Sequence, residues 1–388
     1  MLKKENLIFL IFSIFSIIFG LLTTYILSKY FSIEDFGKLQ LLLTLIGTFS
    51  IFNLSGFDIV IQKQIFIKND NIVKYVLKKI MPLSLILMII ILVIIYFTTE
   101  YKDLLLFVFI ITSITLFDKT NAILNAKLKF KELRYLELLT KISLLFVAIF
   151  SLVFNVDIFT YIIIFTLVSI IIIGVRIFVS YKYLNNHMIE KTDFNFIKNE
   201  GIKTSLSTAY TIIANWSERL ILGLIDPKIL AIFVIGQLFP RVLKDNVKVL
   251  LTPTLNSWAF QGFEHFKIMI QKYQMFLWIF GFSVYIIIYV LVDFIISNYF
   301  IKYEESILVA QLLAIPLIFK FVETMKMSAM ALSHHTNIFN KINNIVNTIK
   351  IFFVVILIPI FGIIGAVIAI LFIEITRFFL VTKEFNKL

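Results

Sequence analysis

Apolar runs of about twenty residues follow one another along the whole chain, separated by short polar interruptions. Each run is long enough to cross about 30 Å of hydrocarbon as a helix. The runs are continuously apolar rather than alternating, so the pattern predicts helices and not the strands of a barrel. Twelve spans are expected, over 7–27, 39–61, 80–97, 104–124, 139–155, 158–181, 204–225, 229–255, 273–294, 306–330, 345–361 and 362–382. The break between the fifth and sixth rests on Asn155-Val156-Asp157, and that between the last two on Pro359 and Gly362. The first run is too long for a signal-peptide core and lacks an Ala-x-Ala cleavage site, so it is read as a span.

Composition strengthens this picture. The chain has 388 residues, 60% hydrophobic and 15% charged, with a mean hydropathy of +0.98. So few charges cannot cover the surface of a soluble protein of that size. Charge then sets the orientation. Of the 36 basic residues, 26 fall in alternate segments: near Lys3 and Lys4, at Lys63–Lys79, Lys127–Lys141, Arg176–Lys203, Lys248–Lys272, Lys326–Lys350 and Arg377–Lys387. The opposite set of loops holds five, namely Lys29, Lys38, Lys102, Lys228 and Lys302. The positive-inside rule therefore puts both termini in the cytoplasm. The net charge of +12 is a topology signal rather than a nucleic-acid footprint. The longer inner segments (62–79, 186–203 and 261–272) are amphipathic and are expected to lie on membrane lipids of the inner leaflet.

The two halves are weakly alike, with a boundary near 185–203. Each opens with a span, a short external turn and a second span containing glycine (Gly47, Gly236). The fourth span of each half carries charge about fourteen residues in, at Asp118–Lys119 and at Lys320. An even number of spans per half gives parallel repeats, as in several secondary transporters. The expected division is a six-helix bundle over 1–190 and a second over 191–388.

Soluble-enzyme chemistry finds little support. There is no cysteine, which excludes disulfides and thiolate sites. His187, His265, His334 and His335 do not make a metal-like cluster, and there is no P-loop, no Ser/His/Asp arrangement and no acidic metal cluster. No cofactor, metal or catalytic residue is expected. The informative residues are charges within the spans, which cost roughly 2.5–3.5 kcal/mol each and so face a cavity or a partner. On the eighth span Arg241, Lys244 and Lys248 share a face beside Asp245, just after Pro240, where the helix is open to a kink. They read either as a cationic stripe that receives an anionic headgroup or as snorkelling lysines with a paired arginine. On the tenth span Lys320, Glu323 and Lys326 are spaced by three, so Glu323 pairs locally with Lys320 or across the bundle with Arg241 or Lys244. Glu218 and Arg219 on the seventh span point about 100° apart, so each needs another partner. Asp58, Asp118 and Glu374 are ion-coupling carboxylates or helix-end acids, with Arg377 placed to pair with Glu374. Trp216, Trp258 and Trp278 read as interface anchors or packing residues.

Ser28-Lys29-Tyr30-Phe31-Ser32-Ile33-Glu34-Asp35-Phe36-Gly37 and, at the end of the next span, Leu54-Ser55-Gly56-Phe57-Asp58 resemble segments of polysaccharide flippases. Similar too are Glu218-Arg219-Leu220-Ile221-Leu222-Gly223, Leu251-Thr252-Pro253-Thr254-Leu255 and Gly362-Ile363-Ile364-Gly365-Ala366-Val367-Ile368-Ala369. Such flippases are the O-antigen and related lipid-linked oligosaccharide translocases of the multidrug/oligosaccharidyl-lipid/polysaccharide exporter superfamily. The resemblance implies two six-helix, multidrug-exporter-like bundles around a central cavity that opens alternately to each side. It implies a polyprenyl-pyrophosphate-linked oligosaccharide as substrate, other polysaccharide-assembly proteins as partners, and the bacterial cytoplasmic membrane as location. Gln62-Lys63-Gln64 departs from the pattern, because an arginine often follows the second span. The rival readings are a multidrug or cation antiporter of the same superfamily, whose cavity would favour acids over a basic stripe, a membrane glycan polymerase, which needs a larger external loop, and a scaffold.

Overall fold

The computed structural model describes residues 2–67, 69–184, 194–259, 262–332 and 336–388, and these contain helices and no strand. They form two compact units, Met1–Trp216 and Ser217–Leu388. The division expected at 190/191 falls outside the described residues. The contact-defined division lies inside one helix, α10 (Phe194–Ile225).

In the first unit, α1 (Leu2–Tyr30) is followed by α2 (Ile33–Phe49), a 3-10 turn Ser50–Asn53 and α3 (Gly56–Phe66). Ser32 starts α2: its Oγ accepts the Asp35 N–H at 3.0 Å, and Glu34 and Asp35 place negative charge on the helix N-terminus. The expected second span is thus two helices. They are separated where Leu54 takes a left-handed φ of 46°. Gly56 opens α3 because a Cβ there would run into the backbone of Thr204 and Ser205 on α10. Gly56→Leu is expected to prise α3 from α10 and lower the unfolding midpoint measured by tryptophan fluorescence, whereas Gly20→Ala, with open space around it, should leave the midpoint unchanged or slightly raised.

Next come α4 (Asn71–Tyr75), a π-helical turn Val76–Ile80 and α5 (Met81–Thr98). Pro82 accounts for that turn. It has no N–H for the Lys78 carbonyl and its ring crowds that oxygen, so the chain widens by a residue. Helices α6 (Lys102–Thr115) and α7 (Thr120–Ala126) divide the fourth expected span, and α8 (Phe130–Val153) and α9 (Ile158–Tyr181) complete the series before α10. Between α8 and α9, Asn155 is left-handed (φ 51°) and Asp157 caps α9, accepting from the N–H groups of Phe159 and Thr160. Hydrogen bonding, chiefly from the Thr160 hydroxyl, holds the Asp157 carboxyl below its ordinary pKa of 3.8. This cap is therefore fully present at neutral pH and is lost only as pH falls through that lowered value.

The second unit contains the end of α10, α11 (Pro227–Ala259), α12 (Phe263–Tyr299), α13 (Ser306–Ala314), α14 (Leu317–Leu332) and α15 (Thr336–Lys387). Asp226 turns α10 into α11, its Oδ1 accepting the Lys228 N–H at 2.8 Å, with Pro227 at the first helical position. Helix α11 continues through Pro240. Helices α13 and α14 meet at a 42° bend over Ile315–Pro316. Helix α15 is two helices in one line of sequence, broken where Gly362 adopts φ 57° and ψ −131°. Its core joins Val247, Phe266, Ile270, Phe321, Met325 and Val346.

Helix occupies most of each interval read as a span, and 39–61, 104–124 and 306–330 are each interrupted within. By length and apolar composition six of the described stretches are able to cross a membrane, and a seventh if α13 and α14 count as one bent span. They are Ile33–Asn53, Asn71–Thr98, Phe130–Val153, Ile158–Tyr181, Phe263–Tyr299 and Ile338–Lys387.

Candidate functional site

In the second unit, charged side chains from four helices meet in one network. Lys244 on α11 pairs with Glu374 on α15 at 2.9 Å. Lys320 at the start of α14 bridges Glu323 at 2.6 Å and Glu374 at 3.3 Å. Lys350 on the first half of α15 pairs with Glu218 on α10 at 2.9 Å, with side-chain exposures of 14% and 4%. Beside them, Arg219 donates from Nε (3.0 Å) and Nη2 (2.7 Å) to Gln237 Oε1, and Arg241 Nη1 reaches the same oxygen at 3.4 Å. Arg241 also lies 3.5 Å from Asp245.

Glu218 and Arg219 do take separate partners, as their angular separation required. Glu323 pairs locally with Lys320, while its other oxygen is buried without a hydrogen-bond partner. The carboxylate that crosses between helices to Lys244 is Glu374, which was expected to pair with Arg377; that pair does not form, because the α15 acid is drawn to two lysines on neighbouring helices. The side chain of Lys248 lies outside the described residues. Lys350, Lys326 and Arg176, counted with inner loops from the charge pattern, sit on helices with their charges in contact with partners: Lys326 donates to Thr382 Oγ1 at 3.3 Å. The signal for Lys350 was present, since it lies five residues inside the expected span 345–361, directly before the apolar run from Ile351. For Gln237 no signal stood out, because a lone amide in a span has no motif.

The first unit holds a smaller network. Asp58 and Asp118 are not lone acids. Lys119, with 1% of its side chain exposed, lies 3.1 Å from Asp58 and donates to the Asn53 carbonyl at 2.7 Å. That carbonyl ends the 3-10 turn, so the ammonium satisfies an acceptor that the broken span leaves over. Asp118 accepts from Arg176 Nε at 2.8 Å and from the Thr120 N–H at 3.0 Å, fixing the start of α7. Lys127 pairs with buried Asp70 at 2.8 Å, and Lys63 with Glu200. Lys119→Met strands both Asn53 O and Asp58. It is expected to cost about 2–4 kcal/mol, read as a lowered unfolding midpoint that Asp58→Asn in the same chain partly restores.

The two networks share a feature. Two of the intervals expected as spans are discontinuous, 104–124 at α6–α7 and 306–330 at α13–α14, and each second piece begins beside a buried lysine, Lys119 or Lys320.

These elements define a class. A family profile described as "Polysaccharide biosynthesis protein" matches residues 2–237, and the chain belongs to that family. Among solved structures it is similar to "Lipid II flippase MurJ, inward closed conformation", with 17% identity and a TM-score of 0.70 over 97% of this chain and 87% of that one. It is also similar to an inward-facing multidrug resistance MATE family transporter of the MOP superfamily (13% identity, TM-score 0.65, 95% and 94% covered). A Vibrio cholerae MATE transporter, VcmN, is similar at 12% identity and a TM-score of 0.53, with 99% and 96% covered. At these identities the likeness establishes the fold. No curated protein sequence matches.

Proposed function

We propose that this protein is a flippase that moves a polyprenyl-pyrophosphate-linked oligosaccharide, an O-antigen or similar surface-polysaccharide unit, from the inner to the outer leaflet of the bacterial cytoplasmic membrane. Twelve spans with both ends inside, in bundles divided near residue 190, alternate access to a cationic interior. The observation that carries this reading is the set of cations on the spans of the second unit: Arg219, Arg241, Lys244, Lys320 and Lys350, with Lys248 on the same face by sequence. They outnumber the acids beside them, Glu218, Asp245, Glu323 and Glu374. A pyrophosphate–sugar head cannot cross hydrocarbon unaided, whereas its polyprenyl tail can stay in the bilayer. Cations on the spans replace the hydration the head gives up.

Glu218, Glu323, Asp58 and Asp118 are the carboxylates through which we propose coupling to an ion gradient. Each faces a basic group, so coupling works by exchange of ion-pair partners as the bundles rock. The second reading, a multidrug or cation antiporter, is favoured by the likeness to MATE transporters, and the excess of basic over acidic groups at the network counts against it.

Deleting the protein tests the proposal. The lipid-linked repeat unit should accumulate in the inner leaflet while surface glycan disappears; unchanged surface glycan without accumulation would sink the flippase reading.

A further inference from the structure

We infer that the first unit carries a docking surface for anionic phospholipid, made of the turns α3–α4 and α7–α8, on the side that the charge pattern assigns to the cytoplasm. Nothing in it depends on what the protein transports. Buried Asp70 joins the two turns, because Lys127 donates to its Oδ1 at 3.0 Å and to its Oδ2 at 2.8 Å. The joined turns hold four large apolar side chains in the open. Phe66 and Ile67 lie on one turn, Leu128 and Phe130 on the other, and each is more than half exposed.

Leu128 is the informative one. It is the left-handed residue of the cap that ends α7, with φ 57°. Its N–H closes on the Asn125 carbonyl at 3.1 Å, and the Lys129 N–H on that of Leu124 at 2.8 Å. In that conformation a β-carbon crowds the backbone, so glycine is the favoured residue. Leucine is strained there and, at 63% exposed, gains little packing in return. Insertion among acyl chains gives it an advantage that glycine lacks.

Charge selects the lipid. Lys129 lies over the Tyr183 ring at 5.1 Å, Lys131 over Tyr135 at 5.7 Å and Lys182 over Phe178 at 4.3 Å. A ring face attracts an ammonium without neutralising it. The acids nearby are engaged: Asp70 by Lys127, Glu137 by Arg134, and Glu132 accepts from the Tyr183 hydroxyl at 3.2 Å. Three lysines against Glu132 leave the rim positive. An apolar tip within a positive rim matches an anionic bilayer surface, where acyl chains take the tip and headgroup phosphates the lysines.

The chain has no cysteine, so a single introduced one can be labelled alone. The test places Leu128→Cys, carrying a bimane group on the full chain, in nanodiscs with acyl-brominated phosphatidylglycerol or phosphatidylcholine at equal mole fraction. Both lipids are expected to quench, phosphatidylglycerol by at least about threefold more. A label at Phe97→Cys, 78% exposed near the far end of α5, should show no preference. Lys129→Gln, Lys131→Gln and Lys182→Gln together should bring the ratio at 128 to about one. If that protein does not fold, Lys131→Gln alone should lower the ratio. A ratio unmoved by the lysine variants, or equal quenching in the parent chain, overturns the choice of anionic lipid. A label at 128 quenched by aqueous iodide and by neither lipid puts the turn in water, as a site for a soluble partner would be, and overturns the surface altogether. Leu128→Gly separates docking from folding. Its unfolding midpoint in detergent should hold or rise, while the rise in midpoint on adding phosphatidylglycerol shrinks. A midpoint that falls in detergent would make Leu128 a packing residue and overturn its role in docking.

Discussion

Lys350→Met is expected to destabilise the second unit by about 3–5 kcal/mol, because it leaves the Glu218 carboxylate buried and uncompensated. Both members of this pair lie well inside their helices, and neither side chain has more than 14% of its surface exposed. The cost comes from the stranded charge rather than from the attraction lost. Replacing both members should therefore recover most of the stability: Glu218→Gln with Lys350→Met is expected to unfold close to wild type. The measurement is the unfolding midpoint in detergent by intrinsic tryptophan fluorescence. A single variant as stable as wild type would mean that Glu218 is solvated or protonated in the folded protein. A double variant no better than the single one would mean that the Lys350 stem, and not its charge, carries the packing.

The second large effect concerns transport. Arg241→Ala and Arg219→Ala are each expected to reduce export of the lipid-linked unit roughly a hundredfold, with protein levels in the membrane unchanged. Charge-assisted hydrogen bonds contribute about 1.5–3 kcal/mol each, and about 2.8 kcal/mol is two decades in an equilibrium constant. Lys244→Ala differs in kind. It removes a cation that Glu374 already holds at 2.9 Å, leaving Lys320 to hold that acid, so a smaller loss of export is expected. Full export by both arginine variants would make these side chains structural or snorkelling. Surface glycan per cell, normalised to protein in the membrane, reads all three.

Much of the helical framework was legible in the sequence. The Asp226-Pro227 turn, the left-handed Asn155 before the Asp157 cap, and the Gly362 break all follow from residues whose backbone preferences are strong. The break at Leu54 was not, because hydropathy averages over a run and one left-handed leucine does not change the average. What makes that break tolerable is distant in sequence: Lys119 supplies the missing donor to Asn53 from another helix. The same limit applies to the charges. Spacing along a helix correctly separated Glu218 from Arg219 and offered Lys320 to Glu323. It misassigned Glu374 to Arg377, because spacing sees only neighbours on one helix, whereas Lys244 and Lys320 approach Glu374 from α11 and α14. Gln237 was overlooked for a related reason, since Arg219 reaches its oxygen from another helix.

The central claim is that a cationic interior carries a diphosphate-linked sugar head across the membrane. It is tested most directly with purified protein in liposomes containing a fluorescent polyprenyl-diphosphate-linked sugar, quenched from outside by a membrane-impermeant reductant. The account predicts that the protected half of the fluorescence becomes accessible with wild type and stays protected with Arg241→Ala. Liposomes in which the sugar lipid stays protected with wild type, while a lipophilic cation is exchanged for protons or sodium, would contradict it.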